Sequence, residues 1–215
     1  MRWLEKLRTP YIRDWYSANA IGLFIAISLL YFMALLIKRM LIINDIAAFE
    51  VLQDRGEMWV FDLLFGLEYL SVPLFLVWKF VFTTLVLWIG CFMFGYRLTF
   101  AQLWKLVVLS ELVFILPEFL KVIWFLIIHS DPDYHEFVAF YPLSLINIFD
   151  FEALIPKFLY PLKALNLFEV FYWFFLAASI FWISGKKWSI SLMIVFTSYV
   201  PVFLMWLLFY IMAYR

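Results

Sequence analysis

The sequence predicts an all-α polytopic membrane protein with five transmembrane helices. Of its 215 residues, 67% are hydrophobic, well above the roughly half-apolar composition of soluble domains. The apolar residues also fall into runs of roughly 20 or more, the length a helix needs to cross a bilayer core of about 30 Å. Helices are expected because lipid leaves no water for unpaired backbone groups. The predicted spans are residues 20–43, 73–96, 102–128, 165–184 and 188–213.

The first element, residues 1–19, is predicted to be an interfacial anchor. Cationic and aromatic side chains alternate along it, and Pro10 interrupts any continuous helix. This composition fits the headgroup layer of an anionic inner leaflet, although docking to a specific partner is also open. The residues assigned to lipid contact are Arg2, Trp3, Lys6, Arg8 and Trp15.

The connections between spans predict the orientation and the shape of the outer surface. The short connections at residues 97–101 and 185–187 are basic, which places the N-terminus inside and the C-terminus outside. Residues 44–72 and 129–164 then face outward and hold most of the acidic residues. Each contains an apolar run too short to span, MWVFDLLFGLEYL and FVAFYPLSLINIF, which predicts interfacial or re-entrant segments. Residues 20–215 are treated as one membrane domain.

An acidic residue near the middle of the third span is the strongest candidate for a functional site. Glu111 lies about 13 Å beyond Gln102 at about 1.5 Å per residue. A charge at this depth costs on the order of 3 kcal/mol, so we expect Glu111 to be protonated, hydrogen-bonded or facing a wet cavity. We find no cation at the same depth by counting. Handling of protons or cations and an interhelical hydrogen bond both remain open.

Other polar residues surround Glu111 in the predicted membrane region. Lys79 and Glu118 each lie about 24 Å from the turn that joins the second and third spans, which predicts an ion pair between them. Lys121 follows Glu118 by one turn and either adds a second cation or snorkels outward. Pro117 removes a backbone donor and predicts a kink in the third span. These residues serve either as a structural pin or as the lining of a groove.

The segment HSDPDYHEF, residues 129–137, contains the two histidines of the protein. Asp131, Asp133 and His135 are candidate ligands for zinc or another divalent ion. Their spacing matches no template such as H-E-x-x-H, and a solvated turn begun by Asp-Pro explains the pattern equally well. We expect no other cofactor.

Composition excludes several other classes of protein. Sixteen basic and sixteen acidic residues cancel, so no basic surplus indicates nucleic acid. Cys91 is the only cysteine, which excludes an intrachain disulfide and a cysteine cluster. Glycines are few and scattered, so a phosphate-binding loop is not indicated.

Two stretches carry a resemblance to a known family. They are GYRLTFAQLWKLVVLSELVFILP, a short basic turn followed by the kinked third span, and NLFEVFYWFFLAASIFWISGKKWSISLMIVF near the end. With five spans and an inside N-terminus, this layout resembles the Yip1-domain membrane proteins, over roughly residues 20–213. The resemblance implies a polytopic membrane fold and, for trafficking members, partnership with small GTP-binding proteins. The Asp-Leu-Tyr-Gly-Pro type motif of those members is absent here, so that partnership is not carried over.

These observations favour a non-enzymatic protein of a bacterial inner membrane, acting as a scaffold, assembly partner or lipid-organising factor. The expected partners are membrane lipids and other membrane proteins or a second copy of the chain. A small transporter or channel subunit that uses Glu111 is the main alternative. A metal-dependent membrane enzyme centred on residues 129–136 is the third.

Overall fold

The computed structural model describes residues 19–41, 59–128, 134–150, 153–185 and 187–214. Throughout these ranges the chain is helical or irregular, and a single isolated bridge between Ser144 and Asn166 is the only β pairing. The predicted all-α class is confirmed. The α-helices are α1 (Ala20–Leu41), α2 (Trp59–Met93), α3 (Phe100–Ser110), α4 (Leu112–Ile123), α5 (Tyr134–Ala139), α6 (Pro156–Ala164), α7 (Leu167–Ser184) and α8 (Trp188–Ala213).

Four of these helices, α1, α2, α7 and α8, are long and apolar enough to cross a membrane. They cover most of the predicted first, second and fourth spans and all of the fifth, so the membrane class of the protein is confirmed. Large apolar side chains also cover the outside of the described bundle, among them Phe92 and Met212. An exposed apolar surface of this extent is expected where lipid replaces water.

Helix α2 is longer than its predicted span. It has 35 residues, about 52 Å at the helical rise, against a bilayer core of about 30 Å. The apolar run predicted to be an interfacial or re-entrant segment forms the first turns of this helix, which continues through Pro73. The acidic residue Asp62 within this run is paired with Arg39 of α1.

The predicted third span is divided. Thr99 caps α3 with a capping box, in which Gln102 N–H donates to Thr99 Oγ1 at 3.3 Å. The helix is interrupted at Glu111, and α4 is followed by a π-helical turn, Trp124–Ile128. The interruption therefore falls at Glu111, and α4 is continuous through Pro117.

The second long connection, which was predicted to face outward, contains short elements rather than one apolar segment. Helix α5 is followed by a 3₁₀ turn, Leu145–Ile148, and then by α6. Leu145 N–H donates to Leu165 C=O, and Leu167 N–H donates to Leu143 C=O, each at 3.0 Å. Helix α6 packs on α8, where the rings of Tyr160 and Tyr210 lie 4.7 Å apart.

The core lies where α2, α3, α7 and α8 meet. Phe80, Leu103, Leu176 and Ile194, one from each helix, are fully buried there. Helices α2 and α8 approach closely at Gly90, because a Cβ added to this glycine would lie 2.7 Å from Ser198 Cβ. Helix α1 packs along α2, α3 and α4. This arrangement places the interruption at Glu111 inside the bundle.

Candidate functional site

The carboxylate of Glu111 is enclosed by side chains from two other helices. Its side chain is fully buried, with an exposed fraction of 0% for the residue. Lys79 Nζ of α2 donates to Glu111 Oε1 at 2.7 Å, and the Tyr31 hydroxyl of α1 donates to the same oxygen at 3.0 Å. Glu111 Oε2 has no hydrogen-bond donor among the described residues. One carboxylate therefore connects α1, α2 and the α3–α4 junction.

The ammonium of Lys79 also lies against aromatic rings. Its Nζ is 4.2 Å from the centre of the Phe114 ring and 5.9 Å from that of Tyr172. Cation–π attraction of this kind contributes most where the ammonium has lost water. The side chain of Lys79 keeps 25% of its surface exposed, whereas that of Glu111 keeps 1%. The pair is thus open only on the lysine side.

These contacts correct two predictions made by counting residues. Lys79 pairs with Glu111 and not with Glu118, and a cation is therefore present at the level of Glu111. Counting residues from the turn between the second and third spans gives the depth of a backbone position, and only if the third span is straight. The helix is interrupted at Glu111, and a lysine side chain extends several ångströms from its backbone, so equal counts did not identify the partners.

Glu118 and Lys121 have other partners. Lys38 Nζ of α1 lies 2.5 Å from Glu118 Oε2. Lys121 is buried, and its Nζ donates to the Phe137 carbonyl at 2.5 Å and lies 4.2 Å from the centre of the Phe137 ring. Lys121 thus neither pairs with Glu118 nor snorkels outward. Glu118 fastens α4 to α1, and Lys121 fastens α4 to α5.

A second buried acid, Glu169, was not selected from the sequence. It lies in the first turn of α7, where Asn166 caps the helix by accepting from Glu169 N–H at 2.8 Å. Its Oε1 accepts from Trp173 Nε1 at 2.9 Å and from the Tyr199 hydroxyl at 3.0 Å. The signal that could have identified it is the Asn-x-x-Glu pattern at the start of an apolar run.

A groove opens beside Lys79 between α2, α6 and α8. Its volume is about 470 Å³. Aromatic rings form most of its wall, and its ionisable lining residues are Lys79, Lys163, Glu169, Tyr141, Tyr160 and Tyr199. Glu111 does not line it, so this groove contacts the buried carboxylate only through Lys79. Lys163, on α6, was not selected from the sequence either.

The predicted metal and lipid-anchor residues are largely outside the described ranges. This applies to Asp131 and Asp133, and to the anchor residues Arg2, Trp3, Lys6, Arg8 and Trp15. His135 belongs to α5, but its side chain is outside the described part. Among the side chains that the structure describes, no group of three or more His, Cys, Asp or Glu residues could hold a metal ion.

Comparisons with protein-family models, with curated proteins and with solved structures find no match for this chain. The resemblance to the Yip1-domain proteins therefore stays a prediction.

Proposed function

We propose that this chain is a non-enzymatic integral membrane protein that acts as a scaffold, assembly partner or lipid-organising factor. The observation that carries the proposal is the complete burial of Glu111 and its bonds to Lys79 and Tyr31. A carboxylate that moves ions needs water access from both sides of the membrane, whereas one that fastens helices needs only partners. The enclosure of Glu111 supports the second role.

The proposal includes five crossings, with the N-terminus inside a bacterial inner membrane and the C-terminus outside. The proposed third crossing comprises residues 100–128, from the start of α3 to the end of the π-helical turn. A helix of this length rises about 43 Å, which is enough for a bilayer core of about 30 Å. The basic connections at residues 97–101 and 185–187 then lie on the inner side. The division at Glu111 is compatible with a crossing because its backbone groups stay bonded: Glu111 N–H donates to Val107 C=O at 3.1 Å.

Isolation of the intact assembly tests this role. The full chain is purified from its native membrane in mild detergent, after chemical crosslinking, and the retained proteins and lipids are identified by mass spectrometry. We expect a partner protein, a second copy or a defined lipid in fixed ratio to the chain. A monomer that retains none of these at any detergent concentration would contradict the proposal.

One observation favours a small transporter or channel subunit as the second candidate. Lys79 lines the groove and also contacts Glu111, so a single side chain separates the buried carboxylate from an accessible space. The test is proton or cation uptake by liposomes that contain the purified chain, with Glu111→Gln and the control Glu118→Gln. Uptake that only Glu111→Gln abolishes would favour the transporter, and absence of uptake supports the scaffold.

A further inference from the structure

The groove between α2, α6 and α8 has the dimensions of a ligand site. Its volume of about 470 Å³ falls within the range of roughly 300–1,000 Å³ for small-molecule pockets. Two facing stripes form its walls, Phe75, Trp78 and Phe82 on α2 and Tyr199, Phe203 and Trp206 on α8. The first and last residues of each stripe are seven positions apart in a helix, which corresponds to a groove about 10 Å long.

The mouth of the groove opens onto the apolar outer surface of the described bundle. Phe75 and Trp78 are 58% and 52% exposed, and Trp206 is 42% exposed. The rings of Trp78 and Trp206 lie 6.1 Å apart across the groove. Because these residues lie on helices that are long and apolar enough to cross the membrane, we expect the mouth to face lipid rather than water.

One cation that lines the groove, Lys163, pairs with no carboxylate of the described residues. Lys163 Nζ donates to the Val138 carbonyl at 3.0 Å and lies 5.8 Å from the centre of the Tyr141 ring, and the described residues supply no carboxylate that pairs with it. The other charged lining residues are already engaged, Lys79 by Glu111 and Glu169 by Trp173 and Tyr199. Lys163 is partly exposed, and its hydrogen bond to Val138 leaves other donors of the ammonium available to an anionic ligand in the groove.

We propose that the groove binds an anionic phospholipid, with its phosphate paired to Lys163 and part of one acyl chain between the aromatic stripes of α2 and α8. An amphipathic ligand fits a groove that combines a cation with available donors, an aromatic wall and a mouth on the apolar surface. The inference rests on the proposed lipid-organising role and names its ligand class.

Lipid retention measured by native mass spectrometry tests the proposal. The full chain in non-ionic detergent is titrated with phosphatidylglycerol and, separately, with phosphatidylcholine of the same acyl chains. We expect tighter retention of phosphatidylglycerol. Lys163→Gln should bind phosphatidylglycerol about tenfold more weakly, because it removes one charge-assisted hydrogen bond to the phosphate. The control Lys157→Gln, on the same helix but outside the groove, should bind as the unmodified chain does.

Equal retention of the two lipids, or unchanged phosphatidylglycerol binding by Lys163→Gln, would overturn the inference. A second pair of variants decides the matter if Lys163→Gln does not fold. Val202→Trp fills the groove and should abolish lipid retention, whereas Leu208→Trp, on the exposed side of the same helix, should not. Full binding by Val202→Trp would also overturn it.

The outcomes separate this inference from the proposed function. If no lipid is retained but a protein partner copurifies in fixed ratio, the groove inference fails and the scaffold proposal stands. If liposomes take up protons through Glu111, the proposed function fails. Lipid binding at Lys163 would then remain as a property of the groove alone.

Discussion

Lys79 Nζ lies 2.7 Å from Glu111 Oε1, and this pair joins the middle of α2 to the interruption between α3 and α4. The Tyr31 hydroxyl adds α1 to the same carboxylate oxygen. Three segments far apart in the sequence therefore meet at one buried atom. If a substitution removes one of these three side chains, the buried charge or polar atom that it contacted loses its partner, so the protein should be sensitive to substitutions here.

Tyr31→Phe should lower the free energy of unfolding by about 1–2 kcal/mol, because it removes one hydrogen bond to a charged group in a membrane interior. Tyr69→Phe is the matched control. The ring of Tyr69 packs on Phe32 at 5.0 Å, and its hydroxyl makes no hydrogen bond within the described part of the chain. Thermal unfolding in detergent measures both. Equal midpoints for the two variants would show that the Tyr31 bond contributes nothing.

Gly90→Ala should destabilise the bundle by roughly 1–3 kcal/mol, the usual cost of overpacking. The added methyl group would lie 2.7 Å from Ser198 Cβ, which is fixed to the backbone of α8, so the two helices would have to separate. Gly66→Ala, in the same helix, meets no atom within 4 Å. It should be neutral or stabilising by up to about 1 kcal/mol, through helix propensity alone. Reversal of this order would contradict the close approach of α2 and α8.

The stability of the protein should depend on pH through Lys163. Burial lowers the pKa of Lys163 below its ordinary value of 10.5, an effect that Lys38 increases and Glu118 opposes. Between the lowered pKa and 10.5, the unfolded chain binds a proton at this site that the folded chain has released. The free energy of unfolding should therefore rise with pH across this window.

Lys163→Met removes this dependence, so the stability of the unmodified chain relative to the variant should increase as the pH rises. Chemical denaturation in detergent at a series of pH values measures the difference. Parallel profiles for the two proteins would mean that Lys163 titrates alike in the folded and unfolded states.

Thiol labelling tests the fifth crossing. In a background of Cys91→Ala, single cysteines replace Ala101, Ser189 and Tyr214, each of which is exposed in the structure. In intact cells a membrane-impermeant reagent should reach position 214 alone, and after permeabilisation it should reach all three. If α3 and α4 did not cross together, positions 101 and 189 would be labelled from opposite sides.

The sequence was sufficient for the fold class and for four long helices, because each contains enough consecutive apolar residues to leave no other choice in lipid. It was not sufficient for the start of α2. The run at its start was interpreted as an interfacial or re-entrant segment because it is too short to span alone, and its Asp62 pairs with Arg39 of another helix. A long-range ion pair of this kind leaves no local pattern.

The site was predicted in part. Glu111 was identified because an acid in the middle of an apolar run is costly, and Lys79 was identified as a membrane cation. Their contact was missed because residue counts locate backbones and not the ends of long side chains. Tyr31 was missed because it is one of 12 tyrosines with no distinguishing neighbour in sequence. Lys163 became notable only when the structure placed it in the groove, where no carboxylate of the described residues pairs with it.

The pairing of Lys79 with Glu111 connects α2 to the α3–α4 junction, and a double-mutant cycle on these two residues tests it most directly. Lys79→Met and Glu111→Gln should each lower the free energy of unfolding by about 3 kcal/mol, the lower end of the range for breaking a buried pair, since Lys79 is partly exposed. The double variant should lose much less than the sum, giving a coupling energy of about 2 kcal/mol. Effects that add to within about 0.5 kcal/mol would contradict the pairing.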